Sequence, residues 1–225
     1  MSVPLRRAEA SHAVEHLGWR YVLGGLMTCV SVHSLSQALE VASTAVACCG
    51  AEADGHLRLS PKAERLDLTL QTPGVSSVTA RDVELAATIT DAVRSLDHET
   101  APGGPGRSVQ QLEIAIDAMD IPSIRPFWRA VLGYTNEPGY DGPTDPLVDP
   151  TREGPAVWFQ QMDQPRPQRN RIHLDVSVPH DVADSRIEAA LAAGGTVVGA
   201  RARAFWVLAD AEGNEACITT WQDRD

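Results

Sequence analysis

A short stretch rich in glycine and proline divides the sequence into two parts of similar length. Residues 100–108 read TAPGGPGRS, with two prolines and three glycines. Proline lacks a backbone N–H, and glycine loses more conformational entropy on folding than any other residue, so this stretch is unsuited to a helix interior or a central strand. Because 225 residues suit two small domains, we predict a domain at 1–99, a linker at 100–108 and a second domain at 109–225.

The charge and cysteine content restrict the class of protein and its location. The formal net charge is −11, and residues 108–225 hold 18 acidic against 10 basic residues. Such a chain offers no basic face to nucleic acid. It also has no apolar run of about 18 residues that would span a membrane. The four cysteines lack zinc-ligand spacing and the N-terminus lacks a signal peptide, so we expect reduced thiols in a cytoplasmic protein.

Hydrophobic periodicity predicts an α+β fold for the first part. Residues 65–72, RLDLTLQT, alternate strictly between apolar and polar. This pattern is typical of a half-buried strand, here with Leu66, Leu68 and Leu70 facing the core. The other predicted elements are a helix at 8–17, a strand or hairpin at 19–32, and a last helix capped by Thr79 and Asp82.

A long helix is predicted to follow Ser34. Ser34 and Gln37 have the spacing of a capping box, in which the two side chains satisfy backbone N–H groups at the helix start. The helix sequence, LSQALEVASTAVACC, then carries large apolar residues at helical spacing, namely Leu35, Leu39, Ala42 and Val46. We expect this apolar face to point into the core.

The second part contains one order of elements twice. A strand at 112–118 is followed by a helix that Pro122 begins and Gly133 ends. The stretch at 137–154, rich in Pro, Gly and Asp, is predicted to be a loop. The remaining predictions are strands at 157–162 and 171–178, a helix at 181–193, and strands at 196–199, 205–209 and 216–221. The order indicates an internal duplication of a βαβββ module.

Residues 18–96 resemble the pterin-4a-carbinolamine dehydratases. The resemblance rests on Gly18-Trp19, on the helix SLSQALEVAS, on the strand LDLTLQT, and on Gly74 followed by TARDVELAATI. It implies a four-stranded antiparallel sheet with helices on one face. Members of that family often form dimers or tetramers, so we expect a homodimer.

The resemblance also implies an active site that lacks most of the family's catalytic histidines. The family's His-His-Pro triplet falls on Gly55, His56 and Leu57, and a later histidine falls on Pro73. His56 is therefore the one candidate catalytic residue of this domain. Loss of water from a carbinolamine needs acid and base groups, which glycine and proline do not supply. We predict that the classical dehydratase activity is absent or very weak, and the alternative for His56 is a loop histidine without a role.

Residues 112–221 resemble the vicinal oxygen chelate superfamily, in its glyoxalase and bleomycin-resistance branch. The resemblance rests on LEIAIDAMDIPSIRPFWRAVLGY, AVWFQQMDQPRPQRNRIHLDVSV and VLADAEGNEACI. It implies paired βαβββ modules that form an incomplete barrel around a pocket. Metal-dependent relatives carry four ligands there, at positions equivalent to Glu113, Gln160 or a neighbour, His173 and Cys217. We expect no cofactor; a divalent metal on Glu113, His173 and Cys217 is the alternative, as is a buried apolar role for Cys217.

Strand alternation groups the polar residues of the second domain into candidate sites. Glu113, Ala115 and Asp117 share one face of their strand, and His173, Asp175 and Ser177 share one face of theirs. A carboxylate–imidazole cluster can act as a general acid and base. The predicted catalytic residues are Glu113, His173 and Asp175, and the predicted substrate-binding residues are Asp117, Trp158, Gln160, Arg171 and Trp206. A structural polar network, with the aromatic residues in the core, is the alternative.

Three functions follow from this reading. The leading hypothesis is an enzyme that acts on a small organic molecule by proton transfer in the second domain, as a dehydratase-like lyase or an isomerase. The first domain would then serve assembly or substrate capture. The alternatives are a non-catalytic protein that binds a drug or metabolite, as bleomycin-resistance relatives do, and a residual 4a-hydroxytetrahydrobiopterin dehydratase that depends on His56.

Overall fold

The chain folds as two compact units, Met1–Gln111 and Leu112–Asp225. The computed structural model describes residues 3–165, 174–178, 180–201, 203–220 and 222. Two predicted site residues, Arg171 and His173, lie outside these described residues. No helix among the described residues is long and apolar enough to cross a membrane.

The first unit alternates helices with the strands of one sheet. Its elements are α1 (Arg7–Val14), β1 (Arg20–Val22), β2 (Gly25–Ser31), α2 (Leu35–Cys49), α3 (Ala53–His56), β3 (Leu57–Pro61), β4 (Arg65–Leu70), α4 (Ala80–Arg94) and β5 (Thr100–Ala101). Short 3₁₀ turns follow α1 and α2. Ser34 caps α2 by accepting from the Gln37 N–H at 3.1 Å, and Thr79 with Asp82 forms a capping box at the start of α4.

The sheet of the first unit is antiparallel in the order β1-β2-β4-β3, with β5 added beside β2. Leu66, Leu68 and Leu70 pair with the alternate residues of β2 and are fully buried, as the alternation predicted. They share one hydrophobic cluster with residues of α1, α2 and α4. The predicted α+β class, with an antiparallel sheet covered by helices on one face, is therefore confirmed.

Helix α2 turns a different face to the core from the one that its large apolar residues predicted. Its buried residues are Ala38, Val41, Ala42, Ala45 and Cys49. Leu35, Leu39 and Val46 are instead exposed. Small side chains let the helix axis lie close to the sheet and to α4, and this close packing turns the larger residues outward.

The glycine- and proline-rich stretch at 100–108, predicted to be a linker, lies within the first unit. Its first two residues form β5, and the Val109 N–H donates to the Pro102 carbonyl at 2.9 Å. The buried Arg65 side chain donates to the carbonyls of Pro105 and Arg107. These contacts supply the hydrogen bonds that such a stretch cannot make with itself.

The second unit repeats the order βαβββ. Its elements are β6 (Glu113–Ala118), α5 (Ile121–Leu132), β7 (Thr135–Asn136), β8 (Leu147–Val148), β9 (Ala156–Gln161), β10 (Leu174–Ser177), α6 (Ala183–Ala192), β11 (Thr196–Arg201), β12 (Phe205–Ala209) and β13 (Glu215–Thr219). The loop predicted at 137–154 thus contains β8. The buried Arg125 fixes it by donating to the carbonyl of Asp145 at 2.7 Å.

Each module contributes one four-stranded sheet, β6-β9-β8-β7 and β10-β13-β12-β11, and neither sheet closes into a barrel. The two sheets share one hydrophobic cluster that includes Ile116, Phe127, Val157, Ile187 and Ile218. The predicted paired modules of an incomplete barrel are confirmed.

Polar contacts also join the two modules. The Glu212 carboxylate accepts from the N–H groups of Met119 and Asp120, next to the start of α5. Trp128 donates its indole N–H to Asp210 at 2.9 Å. Together with the shared core, these bonds fix one module relative to the other.

Candidate functional site

Strand β6, at the edge of its sheet, divides its side chains between the core and the opposite face of the sheet. Ile116 and Ala118 are buried and Ile114 packs against the core. Glu113, Ala115 and Asp117 alternate with them, and Glu113 and Ala115 are exposed. Because the apolar residues already occupy the core side, the two carboxylates lie on the face turned away from it.

Strand β9 adds two more predicted residues to this face. The parallel register places Trp158 beside Ala115 and Gln160 beside Asp117. Between them, Phe159 points the other way and is buried in the core. The structure therefore brings Glu113, Asp117, Trp158 and Gln160 together on one face, which we call the first polar face.

The second module has the same arrangement on β10 and β13. Leu174 and Val176 pack against the core, whereas Asp175 and Ser177 are exposed on the opposite face. The parallel register places Cys217 beside Asp175 and Thr219 beside Ser177. The hydroxyl groups of Ser177 and Thr219 lie 2.8 Å apart. We call Asp175, Ser177, Cys217 and Thr219 the second polar face. The Ser177–Thr219 pair was not predicted, although alternation along β10 had placed Ser177 on the same face as Asp175.

The Cys217 thiol is held in its neutral form. Burial, followed by a hydrogen bond to Asp175 and the charges of Asp175 and Glu215, raises the pKa of Cys217 to about 11. The side chain is nearly buried. At neutral pH the thiol is therefore protonated and bound to the Asp175 carboxylate.

The described donors do not fit the divalent-metal site that the resemblance implies. Metal coordination by cysteine needs the thiolate. At position 217 the neutral thiol is engaged with Asp175, and position 160 offers an uncharged amide oxygen, which is a weak ligand. In the described part of the chain, no group of three His, Cys, Asp or Glu side chains could hold a metal ion. The chemistry proposed below therefore uses no metal ion.

Trp206, predicted to bind substrate, is separated from the polar faces by the sheet. It pairs with Ile218 on β13, and both pack in the hydrophobic cluster. Asp175 and Cys217 lie on the other side of that sheet. Side chains two residues apart on a strand lie on the same face of the sheet. Leu208, two residues after Trp206 on β12, is fully buried, so Trp206 also faces the core.

The first unit contains a second group of interacting polar residues. His56, at the end of α3, points Nδ1 at Asp82 Oδ1 at 2.7 Å, and its side chain is only 13% exposed. With Nδ1 engaged, Nε2 is the ring nitrogen that can exchange a proton with a ligand. A histidine oriented by a carboxylate is a common general acid–base device.

Asp82 is fully buried and accepts several hydrogen bonds. The Thr79 N–H donates to its Oδ2 at 2.8 Å, and the Thr72 hydroxyl donates to the same atom at 2.5 Å. Buried charge needs such partners. The capping spacing predicted the contact with Thr79, but the contacts with His56 and Thr72 cross the fold and left no sequence signal.

The two positions at which the related enzymes carry further histidines lie next to each other. A side chain at Gly55 would meet the Pro73 ring at 3.2 Å. Neither the glycine nor the proline at these neighbouring positions carries a proton-transfer side chain. His56 is left with Asp82 as its acid–base partner.

The two units correspond to two families of known domains. Residues 3–92 match the family described as pterin 4 alpha carbinolamine dehydratase, and residues 113–219 match the glyoxalase-like domain family. The chain therefore consists of a pterin-dehydratase-like domain followed by a glyoxalase-like domain of the vicinal oxygen chelate type. Among curated proteins, none matches the chain.

Solved structures resemble one half of the chain each. A transcriptional coactivator/pterin dehydratase from Brucella melitensis is 22% identical and covers 40% of this chain and 98% of its own, with a TM-score of 0.36. A glyoxalase-related enzyme from Fulvimarina pelagi is 15% identical and covers 50% and 88%, with a TM-score of 0.38. A variant of the fosfomycin resistance protein FosX from Listeria monocytogenes, complexed with Mn(II), is 13% identical and covers 49% and 90%, with a TM-score of 0.38. These weak similarities add nothing to the family matches.

Proposed function

We propose that the protein is an enzyme that acts on a small organic molecule by proton transfer, as a lyase or an isomerase, at the polar faces of the second unit. The observation that carries this proposal is the segregation of side chains on β6, β9, β10 and β13. On these strands the apolar residues enter one shared core, and the carboxylates, the amide and the thiol lie on the opposite faces.

The polar faces have the groups that proton transfer needs. Glu113 and Asp175 provide carboxylates on the two modules. His173, which lies outside the described residues, comes two residues before Asp175 in the chain and is proposed as the imidazole partner. A carboxylate can accept a proton from carbon, nitrogen or oxygen of a bound molecule, and an imidazole can return it to another atom. No redox group or metal is required for such a step.

Substrate binding is assigned to the remaining residues of the first polar face and to Arg171. Trp158 offers an indole surface beside Ala115, and Gln160 offers an amide beside Asp117. We propose that the first unit supports assembly or substrate capture.

The test is turnover of a metabolite mixture by the full chain, followed by mass spectrometry. We expect at least one compound to be converted to a product of equal mass, or to one lighter by water. We expect Glu113→Gln and His173→Ala to slow this conversion by about 100-fold or more, the usual effect of removing a general acid or base. Glu188→Gln is the matched control, because Glu188 is exposed on α6, which packs on the core side of its sheet.

Two outcomes would contradict the proposal. If Glu113→Gln and His173→Ala keep the wild-type rate, the reaction takes place elsewhere. If a compound is retained in one-to-one amount without conversion, the protein is a binding protein of the resistance type.

The contact between His56 and Asp82 favours a second candidate function, a residual pterin carbinolamine dehydratase. In that reaction the carbon–oxygen bond of the carbinolamine breaks, the hydroxyl leaves as water after gaining a proton, and a ring nitrogen loses its proton. Nε2 of His56 could accept the nitrogen proton and then donate it, with Asp82 holding the ring. Because this domain has one histidine where the resemblance implies three, we expect dehydration to be slow.

This candidate is tested by the dehydration of a 4a-hydroxytetrahydropterin with and without the protein. An acceleration that His56→Ala removes, and that His33→Ala leaves unchanged, would support it, because His33 is exposed at the start of α2. No acceleration by the wild-type protein would reject it.

A further inference from the structure

Two thiols lie side by side at the C-terminal end of α2. Cys48 and Cys49 are adjacent in the last turn of the helix, and the Cys49 thiol donates a hydrogen bond to the sulfur of Cys48. The other two cysteines, Cys29 and Cys217, are engaged elsewhere, with a backbone carbonyl and a carboxylate. All four are free thiols. The end of α2 therefore carries a dithiol, which neither of the proposed reactions uses.

The dithiol lies next to open space on one side. Cys49 is nearly buried, whereas Cys48 is half-buried and donates its thiol proton to the Ala45 carbonyl at 3.2 Å. Gly50 follows the pair and is exposed, and apart from its chain neighbours no atom would lie within 4 Å of a Cβ built on it. Val46, one turn before Gly50, is 39% exposed. A small group attached to the two sulfurs therefore has free space beside Gly50 and an apolar neighbour in Val46.

A disulfide between the two thiols is disfavoured by the helix. Adjacent Cα atoms across a trans peptide are about 3.8 Å apart, whereas a disulfide usually joins Cα atoms about 4.4 to 6.8 Å apart. Closing the bond would distort the peptide between Cys48 and Cys49. That peptide belongs to the turn in which the Gly50 N–H binds the carbonyls of Val46 and Ala47. The helix therefore favours the reduced pair.

A metal ion that needs thiolates also fits this pair poorly. Burial, followed by the neighbouring Cys48, raises the pKa of Cys49 to about 12, and burial raises the pKa of Cys48. Zinc is bound by thiolates and usually takes four ligands. Within the ranges that the structure describes, no three His, Cys, Asp or Glu side chains are placed to hold a metal ion. The pair thus suits a partner that bonds to two neutral thiols and to no third side chain.

Trivalent arsenic has this bonding requirement. An arsonous acid, R–As(OH)2, condenses with two thiols: two arsenic–oxygen bonds break, two arsenic–sulfur bonds form, and each thiol proton leaves with a hydroxyl as water. No electron is transferred. Arsenic(III) is pyramidal and holds its two sulfur atoms close together, as the hydrogen bond from Cys49 to Cys48 already does. Copper(I), the soft ion that thiolates select, prefers two sulfurs on opposite sides and would push this pair apart.

We propose that Cys48 and Cys49 form a binding site for a trivalent arsenical with one organic substituent. Both sulfurs bond to one arsenic atom, and the substituent points to the open side beside Gly50. The helix holds the two thiols together before the ligand arrives, so the second bond forms within the complex and strengthens binding. The inference does not depend on the proposed chemistry of either unit.

The test is binding of phenylarsine oxide by the full chain in a large excess of glutathione, a monothiol that competes with single cysteines. Native mass spectrometry is expected to show one phenylarsenic group per wild-type chain, with no oxygen retained on arsenic. Cys48→Ala and Cys49→Ala should each weaken binding by about 100-fold or more, because the effective concentration of the second thiol is lost. Cys29→Ala, the matched control, removes a buried thiol outside the pair and should bind as the wild type does.

A wild-type chain that retains no arsenical, or a Cys48→Ala chain that binds as tightly as the wild type, would overturn the proposal. Cys48→Ala decides the test if Cys49→Ala is unstable, because Cys48 is the less buried of the two. Circular dichroism checks the fold of each variant. Hydrogen exchange in the last turn of α2 should not become faster when phenylarsine oxide binds. Faster exchange would show that the helix must open, which contradicts a site that the helix preforms.

Discussion

Asp82 has no exposed surface, and it joins four polar groups at the meeting point of α3, β4 and α4. It accepts from the Thr79 N–H, from the Thr72 hydroxyl and from the Thr79 hydroxyl, and it lies 2.7 Å from His56 Nδ1. Such a carboxylate stabilises the fold as well as orienting the histidine. Both roles depend on its full set of partners.

Replacing Asp82 with alanine should destabilise the first unit by about 3 kcal/mol, because His56, Thr72 and Thr79 lose a shared buried acceptor. Hydrogen exchange of the slowest amides in β2 and β4 reports this free energy of unfolding for the first unit alone. Asp91→Ala is the control, since Asp91 is exposed on the same helix. Equal exchange in both variants would mean that the Asp82 network contributes nothing to stability.

Burial and the neighbouring Asp175 carboxylate raise the pKa of Cys217 to about 11. A raised thiol pKa means less thiolate at a given pH, and therefore slower alkylation. We expect Cys217 to resist iodoacetamide at pH 8. Asp175→Asn removes a carboxylate that raises the pKa, so alkylation of Cys217 at that pH should become several-fold faster.

Peptide mapping by mass spectrometry measures this alkylation for Cys217 separately from the other three cysteines. Glu188→Gln serves as the control for a lost surface charge. Rapid alkylation of Cys217 in the wild-type chain, or no change with Asp175→Asn, would contradict the thiol–carboxylate contact.

At the scale of elements, the part of the 100–108 stretch that follows β5 is held in part by the Arg65 side chain. Arg65 contacts the carbonyls of Pro105 and Arg107, and Gly104 lies against Cys29, where a Cβ would come within 3.1 Å of the sulfur. Removing the guanidinium should release the stretch while leaving the sheet beneath it.

Arg65→Met should therefore increase hydrogen exchange in residues 103–109 by about tenfold or more, with little change in β4. Lys62→Met is the matched control, because Lys62 also binds Asp67 but does not contact the stretch. Unchanged exchange in Arg65→Met would show that backbone contacts alone hold these residues.

The sequence predicted the helices and strands better than it predicted which face of each element is buried. Strict alternation in β4 marks both the strand and its buried leucines, and the capping spacing marks the starts of α2 and α4. The buried face of α2 was wrong, because the pattern gives weight to large residues while close packing selected small ones. The 100–108 stretch was predicted to be a linker from its composition, and composition carries no sign of the contacts that Arg65 makes with it.

For the candidate sites, too, the sequence predicted positions along one strand but not contacts between distant segments. Alternation along each strand predicted that Glu113 and Asp117 share a face, as they do. The pairing of Asp175 with Cys217, and of His56 with Asp82, depends on register and packing between segments distant in the chain. Trp206 was grouped with the site by residue type, whereas its position on β12 turns it toward the core, against which it packs partly buried.

The whole molecule combines two domains that each carry acid–base groups. The first unit has one histidine that a buried carboxylate orients, His56. The second unit carries carboxylates on two faces opposite its core, and the proposed chemistry needs those faces to meet. The central claim of the proposed function is that the side chains of Glu113 and His173 lie in the same pocket.

The most direct test of that claim is the pKa of His173, measured by NMR in the wild-type chain and in Glu113→Gln, with His173→Ala to assign the signal. A nearby carboxylate stabilises the imidazolium and raises its pKa, so removing the charge of Glu113 should lower the pKa of His173 by about one unit. Glu188→Gln should leave it unchanged. A His173 pKa that does not move in Glu113→Gln would show that the two side chains do not meet.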